Sequence, residues 1–316
     1  MRRVWLVVIA LLSATGVIAG CAGPPDLNPV QVTAPDGRGA IRPLPEPTRC
    51  TVTATDAQSL DSAMSAAAPG QRICVLGTIG DKRLTLSASG TEEQPIAVVG
   101  NGRTIVRGIT VEGNHITIDG INSVSGWAPG IELTGDNITL RNSTSISPRG
   151  DDQDGLRFFG NNLEIVHNTI RDVLNLNLAH ADCMQTFATG PGNPASQHVR
   201  ISDNRCEQIE NQCLIAEGPN SSAGDGSGEG ESTDFVFANN YCDTHAGQAV
   251  LFDDIQHATV NNNNIVAVQD KAFAFQNQST DGVVADNELN AGIGYEVGMD
   301  DSSLPGYQGP SPGGKP

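Results

Sequence analysis

An asparagine recurs along this chain at intervals that fit one turn of a coil. Seven fragments carry it: Asp119-Gly-Ile-Asn122, Leu140-Arg-Asn142, Val166-His-Asn168, Ser202-Asp-Asn204, Ala238-Asn-Asn240, Asn261-Asn-Asn263 and Ala285-Asp-Asn287. Successive asparagines lie 20, 26, 36, 36, 23 and 24 residues apart. A repeat of this kind that accepts insertions is typical of solenoids. Because asparagine tolerates left-handed backbone and its amide can bond the next copy, the repeat predicts a corner shared by every coil.

A second set of fragments runs in step with the asparagines and alternates apolar and polar residues. These fragments are Gly130-Ile-Glu-Leu, Gly155-Leu-Arg-Phe, Cys183-Met-Gln-Thr, Cys213-Leu-Ile-Ala, Ala249-Val-Leu-Phe, Ala272-Phe-Ala-Phe and Gly294-Tyr-Glu-Val. Period-two alternation sends the second and fourth residue of each fragment inward and the third outward. Aromatic residues make up only 4% of the chain, which suits thin layers of stacked strands. A helix over residues 55–70, with Leu60 and Met64 on one face, would cap the open end.

The start of the folded region carries motifs of a known scaffold. After the predicted helix come Pro69-Gly70-Gln-Arg-Ile, Gly77-Thr78, Ser89-Gly90-Thr91 with Pro95-Ile96, and Thr117-Ile118-Asp119-Gly120. This order resembles right-handed parallel β-helix proteins of the pectate-lyase-like superfamily, and it is similar to the opening of chondroitinase B-type members. The resemblance implies an all-β chain that forms a single right-handed parallel β-helix over residues 50–300, with a short N-terminal capping helix. The segment 301–316, rich in Pro, Gly and Ser, is expected to be a disordered tail.

Residues 1–20 have the composition of an export signal. Arg2 and Arg3 precede a short apolar stretch that ends in small residues, so a spanning helix is not expected. Ile18-Ala19-Gly20-Cys21 resembles the lipobox of bacterial lipoproteins, which implies that Cys21 is lipidated and begins the mature chain. An ordinary signal peptide with an incidental cysteine is the alternative. Residues 21–49 are rich in Pro and Gly and predict a flexible tether, so the protein is expected on the extracytoplasmic side of the cell membrane, held by the lipid.

The cysteine count agrees with export. Seven cysteines without Cys21 leave six, an even number that suits disulfides. Rungs stack about 4.8 Å apart and disulfides span Cα distances of about 4.4–6.8 Å, so cysteines in the same slot of neighbouring coils are candidate partners. The expected pairs are Cys183–Cys213, Cys206–Cys242 and, at the N-terminal cap, Cys50–Cys74. Stacked free thiols, buried as small apolar groups, are the alternative.

The net charge of −18 excludes whole classes of partner. Nucleic-acid binding is not expected, because the basic footprint that it needs is absent. An acidic surface also repels acidic glycans unless a divalent cation bridges the two. Nothing in the sequence demands an oligomer, so we expect a monomer.

Two fragments on adjacent predicted coils carry the candidate catalytic residues, which are Asp154, Arg157, His180 and Asp182. Two neighbouring carboxylates raise each other's proton affinity or share a cation. His180 can act as a general base or acid, and Arg157 can pair with a carboxylate or with sugar hydroxyls. Each residue also has a purely structural interpretation: turn capping for the aspartates, a loop position for His180 and a surface ion pair for Arg157.

The same outward face offers further polar groups that a polymer could contact. Gln185, Glu217, Asp253 and Lys271 are candidate substrate-binding residues. A calcium ion is a candidate cofactor, with Asp152, Asp154 and Asp182 as its ligands.

Three functions remain open at this point, all on an extracellular polysaccharide. The superfamily resemblance favours a polysaccharide lyase, in which a base (His180, Arg157 or Lys271) takes the proton next to a uronate carboxylate while calcium assists. The second is a glycoside hydrolase that uses Asp154 and Asp182 as its carboxylate pair. The third is a non-catalytic surface protein that binds glycan or cell wall, because a fold does not imply a reaction.

Overall fold

The computed structural model describes residues 43–150, 152–175 and 180–316, which wind into one parallel β-helix. Each coil passes along a front wall, then a second wall, then the asparagine corner and a third wall. The predicted leader, most of the predicted tether and Cys21 lie outside the described residues. No helix among the described residues is long and apolar enough to cross a membrane.

The front wall is a nine-stranded parallel sheet in which consecutive strands come from consecutive coils. Its strands are β3 (Leu84–Leu86), β5 (Ile109–Val111), β7 (Ile131–Thr134), β10 (Leu156–Phe159), β13 (Met184–Phe187), β16 (Leu214–Glu217), β19 (Gln248–Asp253), β23 (Lys271–Gln276) and β26 (Tyr295–Met299). All their pairings are parallel, which requires that the chain return by the other two walls before each new strand.

The second and third walls form one 17-stranded sheet. Before the corner run β1 (Val52–Ala54), β2 (Arg72–Val75), β8 (Ile138–Arg141), β11 (Asn161–Val166), β14 (Gln197–Ser202), β17 (Ser232–Ala238), β20 (Ile255–Gln256), β21 (Thr259–Asn261) and β24 (Val283–Ala285). After it run β9 (Thr144–Ile146), β12 (Thr169–Val173), β15 (Arg205–Ile209), β18 (Tyr241–Thr244), β22 (Asn264–Ile265) and β25 (Glu288–Leu289), while β4 (Ile96–Val106) and β6 (Ile116–Val124) continue through the corner. The predicted all-β, single right-handed β-helix is therefore confirmed.

The core is a set of stacked rows that no single coil could bury. Phe158, Phe252 and Phe275 point inward from the front wall and are fully buried, and the Phe252 and Phe275 rings lie 5.2 Å apart. Six of the seven predicted front-wall fragments pair in the expected register. The last one slips by two residues: Ala274 pairs with Gly298, so Glu296 lies near the open end and accepts a hydrogen bond from Asn287 (3.4 Å).

The asparagine repeat resolves into two adjacent positions with different tasks. The amide ladder consists of Asn168, Asn204, Asn240, Asn263 and Asn287, each amide donating to the next Oδ1 at 3.0–3.2 Å. The residue before each ladder member has a left-handed backbone, with φ between 55° and 59°. Asn142 has this left-handed backbone, and Ser143 follows it in the ladder, where its N–H donates to Asn168 Oδ1 (3.0 Å). Asn122 lies one residue past the ladder, opposite Thr144.

Two of the three disulfides join opposite walls of one coil and not neighbouring coils. Cys50–Cys74 is confirmed, but the other bonds are Cys183–Cys206 and Cys213–Cys242, with Cα atoms 5.9 and 5.8 Å apart, so the two predicted pairs were wrong. Side chains stacked on neighbouring coils point in the same direction, so they do not face each other. The residue just before a front-wall strand, such as Cys183, instead faces the third wall across the thin interior. One coil earlier, a Cβ added to Gly155 would collide with Ile170, which occupies the equivalent facing position.

Both ends of the coil are covered. Helix α1 (Ala57–Ser65) follows its N-cap Asp56, whose carboxylate accepts from the Ser59 N–H (2.8 Å). It buries Leu60 and Met64, as predicted, and also Ala63. Part of the predicted tether lies against the coil, where the Leu44 N–H donates to Asn101 O (3.0 Å).

The C-terminal segment 301–316, expected to be disordered, instead continues the winding. The Gln308 N–H donates to Gly282 O, and the Val284 N–H donates to Gln308 O, both at 2.8 Å. The Tyr307 ring packs 6.2 Å from that of Phe275. Composition predicted disorder, but the exposed end of the last coil supplies an apolar surface and unpaired backbone groups for this segment to cover.

Candidate functional site

Four predicted residues meet on the outer side of the front wall, where β10 and β13 begin. Asp154 and Arg157 belong to one coil, and His180 and Asp182 to the next. The Asp182 N–H donates to Asp154 Oδ1 (2.9 Å), so the two carboxylates are held one rung apart. Both aspartate side chains are fully buried, while Arg157 keeps 13% and His180 56% of its side chain exposed. The structure thus gathers Asp154, Arg157, His180 and Asp182 as the sequence predicts.

Arg157 is the cation around which the first coil of the site is built. Its Nε donates to Asp154 Oδ2 (2.6 Å) and to Gln185 Oε1 (3.2 Å), and its Nη2 donates to Asp152 Oδ2 (2.5 Å). The guanidinium also lies over the Phe187 ring, 5.5 Å from its centre. Arg157 is therefore fixed in direction by contacts at Nε, at Nη2 and at the face of its guanidinium.

Burial gives Asp154 an unusual affinity for a proton. Loss of solvent raises the pKa of Asp154 to about 7, against the lowering effect of the Arg157 charge and with a further increase from Asp182. The pKa of Asp182 is raised too, by burial, although His180 opposes it. Near neutral pH, Asp154 can therefore gain or lose a proton, and the local charge of this cluster changes when it does.

His180 and Asp182 form a dyad that a third residue, Asn211, holds together. His180 Nδ1 lies 3.0 Å from Asp182 Oδ2. The Asn211 amide lies 3.0 Å from His180 Nε2 and donates to Asp182 Oδ1 (2.9 Å), which also accepts the Gln212 N–H (2.9 Å). The contact of the ring with the Asp182 carboxylate raises the pKa of His180, and burial opposes that rise.

Glu217 and Asp253 extend the site by two further rungs. They are paired in register on β16 and β19, and they keep only 9% and 3% of their surface exposed. Burial, with Asp253 adding to it, raises the pKa of Glu217 to about 7. Burial also raises the pKa of Asp253, which accepts from Gln276 Nε2 (2.7 Å).

Lys271 lies too far along the coil to join the dyad. It pairs with Gln248 on the neighbouring strand β19. Lys271 itself lies three rungs beyond Asp182, a separation of roughly 14 Å along the coil axis. Its side chain runs toward Gly298 on the last front-wall strand, away from Asp182. Of the two predicted cationic bases at this wall, only Arg157 contacts the cluster.

The three predicted calcium ligands do not fit a cation site. Both Asp154 oxygens accept hydrogen bonds, one from Arg157 and one from the Asp182 backbone. Asp182 faces His180, Asn211 and Gln212, and Asp152 pairs with Arg157. No group of three or more candidate metal ligands occurs in the described part of the chain. A calcium ion here would displace Arg157 or break the contacts that hold Asp182.

The roles of two residues of the site, Asn211 and Phe187, were not predicted from the sequence. Asn211 carries no motif of its own, and only its place two residues before Cys213, where a predicted front-wall fragment begins, could have suggested it. Alternation along β13 puts Phe187 on the outward face, but its contact with the Arg157 guanidinium depends on how the two side chains lean across a rung.

The sequence matches no protein-family model and no curated protein sequence. Solved structures of similar architecture include the PL6 family alginate lyase AlyGC, at 15% identity and a TM-score of 0.55, with 78% of this chain and 40% of that chain covered. A PL6 family polysaccharide lyase from Pseudopedobacter saltans matches at 13% identity and a TM-score of 0.50, covering 79% and 60%. The chain thus spans less than two thirds of either lyase, and what it shares with them at this identity is the parallel β-helix fold.

Proposed function

We propose that this protein is a polysaccharide lyase that cleaves an acidic glycan next to a uronate residue, with His180 as the base. The observation that carries the proposal is the half-exposed His180 ring, oriented by buried Asp182 and placed one rung from Arg157. The fold shared with two polysaccharide lyases supports the same reaction class. The whole reaction belongs to this proposal, because the chain spans only part of those enzymes.

The dyad suits proton abstraction. When Nδ1–H of His180 points to Asp182, the lone pair of Nε2 is the basic site, and in the free protein the Asn211 amide occupies it. A substrate that displaces this amide contact would present the C5–H of its uronate to Nε2. The proton moves to Nε2, the C–H electron pair forms the C4–C5 double bond, and the C4–O bond breaks. The departing oxygen takes up a proton, and protonated Glu217 is the acid that the same wall offers.

Arg157 is the group that meets the uronate carboxylate. We assign the contact to its Nη1, because Asp154 and Gln185 engage Nε and Asp152 engages Nη2. Asp154, whose pKa burial raises to about 7, holds Arg157 together with Asp152. Asp154 and Asp182 are fully buried, so they act as positioning residues for Arg157 and His180 and do not form a hydrolase pair.

Export and a lipid anchor on Cys21 form part of the same proposal. An anchored enzyme would act on polysaccharide outside the cytoplasm, and the three disulfides are consistent with an oxidising compartment. Globomycin, which blocks lipoprotein signal cleavage, should cause the lipid-modified precursor to accumulate, and Cys21→Ala should remove the lipid. A Cys21→Ala chain that still carries lipid would refute the anchor.

A panel of uronate polymers, assayed with added calcium and with chelator, tests the reaction. We expect ultraviolet absorbance from unsaturated ends together with new reducing ends, and a loss of at least 100-fold in kcat for His180→Ala. His198→Ala is the matched control, because His198 is equally exposed and lies 3.4 Å from Asp234 on the second wall. No absorbance from any uronate polymer under either condition would refute the lyase.

Glycoside hydrolysis is the second candidate, and one observation favours it. Glu217 and Asp253 are adjacent carboxyls, and burial raises the pKa of Glu217 to about 7, as a general acid requires. New reducing ends without ultraviolet absorbance, abolished by Glu217→Gln, would select hydrolysis. Glycan binding without any turnover would select a non-catalytic surface protein.

A further inference from the structure

Trp127 is a large apolar side chain left in solvent beside the candidate site. Its surface is 69% exposed, more than that of any other large hydrophobic residue in the described part of the chain. It lies in the loop that links β6 to β7, on the approach to the front wall. The sequence has two tryptophans, and the other, Trp5, falls in the predicted leader. A single exposed indole in a chain with few aromatics is a feature that the fold itself does not need.

The backbone holds the Trp127 loop in a fixed position. The Ala128 N–H donates to Arg149 O (2.9 Å), and the Arg149 N–H donates to Gly126 O (2.8 Å). Arg83 Nη1 donates to Trp127 O (2.8 Å). Beneath the ring lies Gly150, where a Cβ would collide with three carbons of the indole. One end of the ring therefore rests on backbone, and its exposed surface faces solvent as a preorganised platform.

The ring borders a cleft of about 430 Å³ with an unusual local charge. Arg83, Arg107 and Arg149 line it, against one carboxylate, Asp81, which pairs with Arg107 (2.9 Å). Arg83 is partly buried and is engaged by backbone carbonyls. Arg149 is exposed, and no carboxylate among the described residues lies within ion-pair distance of it. A chain with a net charge of −18 thus presents a local excess of cations here.

The cleft adjoins the candidate site along the coil axis. The Gly130 N–H, at the end of the Trp127 loop, donates to Asp154 O (3.0 Å) on the next coil. The loop that carries Arg149 leads directly into Asp152, which pairs with Arg157. A polymer that lies along the front wall and meets Arg157 and His180 would therefore reach Trp127 with its neighbouring sugar units.

We propose that Trp127 and Arg149 form a binding subsite for a uronic acid residue of the glycan, distinct from the residues that do the chemistry. The apolar face of the sugar ring stacks on the indole, and the carboxylate of the same or the adjacent unit pairs with Arg149. The substrate class rests on the proposed function, but the platform, the cleft and the cations do not.

Fluorescence of Trp127 provides a direct test. In the full chain with Trp5→Phe, Trp127 is the only fluorophore of its kind. We expect oligogalacturonate, oligomannuronate or oligoguluronate to change its emission, and a neutral cello-oligosaccharide to have a much weaker effect. Placing His180→Ala in this chain prevents turnover during the titration. Equal binding of neutral and acidic oligosaccharides would overturn the role of Arg149, and no change in emission with any of them would overturn the subsite.

Variants separate stacking from charge. Trp127→Ala, assayed by calorimetry, should weaken binding about tenfold, and Trp127→Tyr should restore most of the affinity because it keeps a ring. Arg149→Ala should weaken binding and reduce its dependence on salt. Val268→Ala and Arg103→Ala are matched controls: Val268 is 67% exposed, and Arg103 is an exposed arginine at the far corner of the coil. If Trp127→Ala binds the acidic oligosaccharide with unchanged affinity and has unaltered thermal stability, the proposal is refuted.

The same experiments distinguish this subsite from the lyase proposal. In an active enzyme, Trp127→Ala should raise KM about tenfold with a much smaller effect on kcat. If the parent chain cleaves no uronate polymer but Trp127 still responds to an acidic oligosaccharide, the lyase proposal fails and the subsite stands. If the parent is a lyase and Trp127→Ala leaves KM unchanged, the subsite proposal fails and the lyase proposal stands.

Discussion

Each buried carboxylate on the front wall lowers the free energy of unfolding at neutral pH, and the packing of the rest of the molecule offsets this loss. Asp154, Asp182, Glu217 and Asp253 are all buried, and burial raises the pKa of each. A folded state that binds protons more tightly than the unfolded chain is favoured at low pH, and this advantage is lost as the pH rises through the folded pKa. Such groups lower stability at neutral pH, which is common where chemistry needs a weakly acidic carboxyl.

Glu217→Gln should make this cost measurable. The pKa of Glu217 rises from 4.5 to about 7 on folding, so the parent loses stability from Glu217 between those pH values. The variant keeps the shape and cannot ionise, so its free energy of unfolding should exceed the parent's at pH 8 by on the order of 1 kcal/mol, with little difference at pH 4. Urea unfolding at both pH values measures this. Exposed Glu288→Gln is the control, and an equal response of both variants would contradict the expectation.

At the scale of structural elements, the asparagine corner shows how two neighbouring residues share one task. The first bends the backbone through a left-handed conformation and is exposed or half-buried, as at Asn262. The second closes the hydrogen bonds of the bend: Asn263 is fully buried, its Oδ1 accepts from the Asn240 N–H (2.9 Å), and its amide donates to Phe237 O (2.9 Å). Asp203 and Asp286 show that the first position accepts other short polar residues.

Asn263→Ala should therefore destabilise the fold far more than a change at its neighbour. The substitution strands the Asn240 N–H and Phe237 O in the interior, and each buried unpaired polar group costs about 1–3 kcal/mol. We expect a loss of roughly 2–4 kcal/mol in the free energy of unfolding, as a lower urea midpoint. Asn262→Asp, next to it in the chain, should change stability by less than about 0.5 kcal/mol. Similar losses for both variants would show that the amide ladder has no special role.

At the scale of the whole molecule, two of the three disulfides tie opposite walls together across the interior. Cys183–Cys206 and Cys213–Cys242 close two successive coils, both next to the candidate site, because Cys183 follows Asp182 and Cys213 follows Gln212. These bonds restrain the residue just before each of the two front-wall strands that carry Gln185 and Glu217. The site is thus built on the most strongly cross-linked part of the described coil.

Peptide mapping without reduction should find Cys183 linked to Cys206 and Cys213 linked to Cys242. Replacing both cysteines of the first pair by alanine should lower the free energy of unfolding by about 2–4 kcal/mol, because the bond restrains the unfolded chain over 23 residues. Removing only Cys183 should cost a similar amount and leave Cys206 as a free thiol that can be alkylated after unfolding. Peptides that link Cys183 to Cys213 would show that neighbouring coils, and not opposite walls, are joined.

Much of the site was predictable, because a β-strand alternates its faces and coils stack in register. From those two rules, Asp154, Arg157, His180 and Asp182 had to meet on one wall, and they do. The outward positions of Gln185 and Glu217 follow from the same register. The roles of Asn211 and Phe187 did not follow, since a side-chain contact across a rung depends on rotamers that spacing does not encode.

Local pattern alone determined the coil, its corner, its capping helix and the face that bears the polar cluster, because each depends on periodicity or on a short signal such as Asp56 before α1. Only the tertiary structure decided the disulfide partners, the winding of residues 301–316 and the proton affinity of Asp154 and Glu217. Those properties depend on distances across the interior and on the exclusion of water, which arise only when all the coils are stacked.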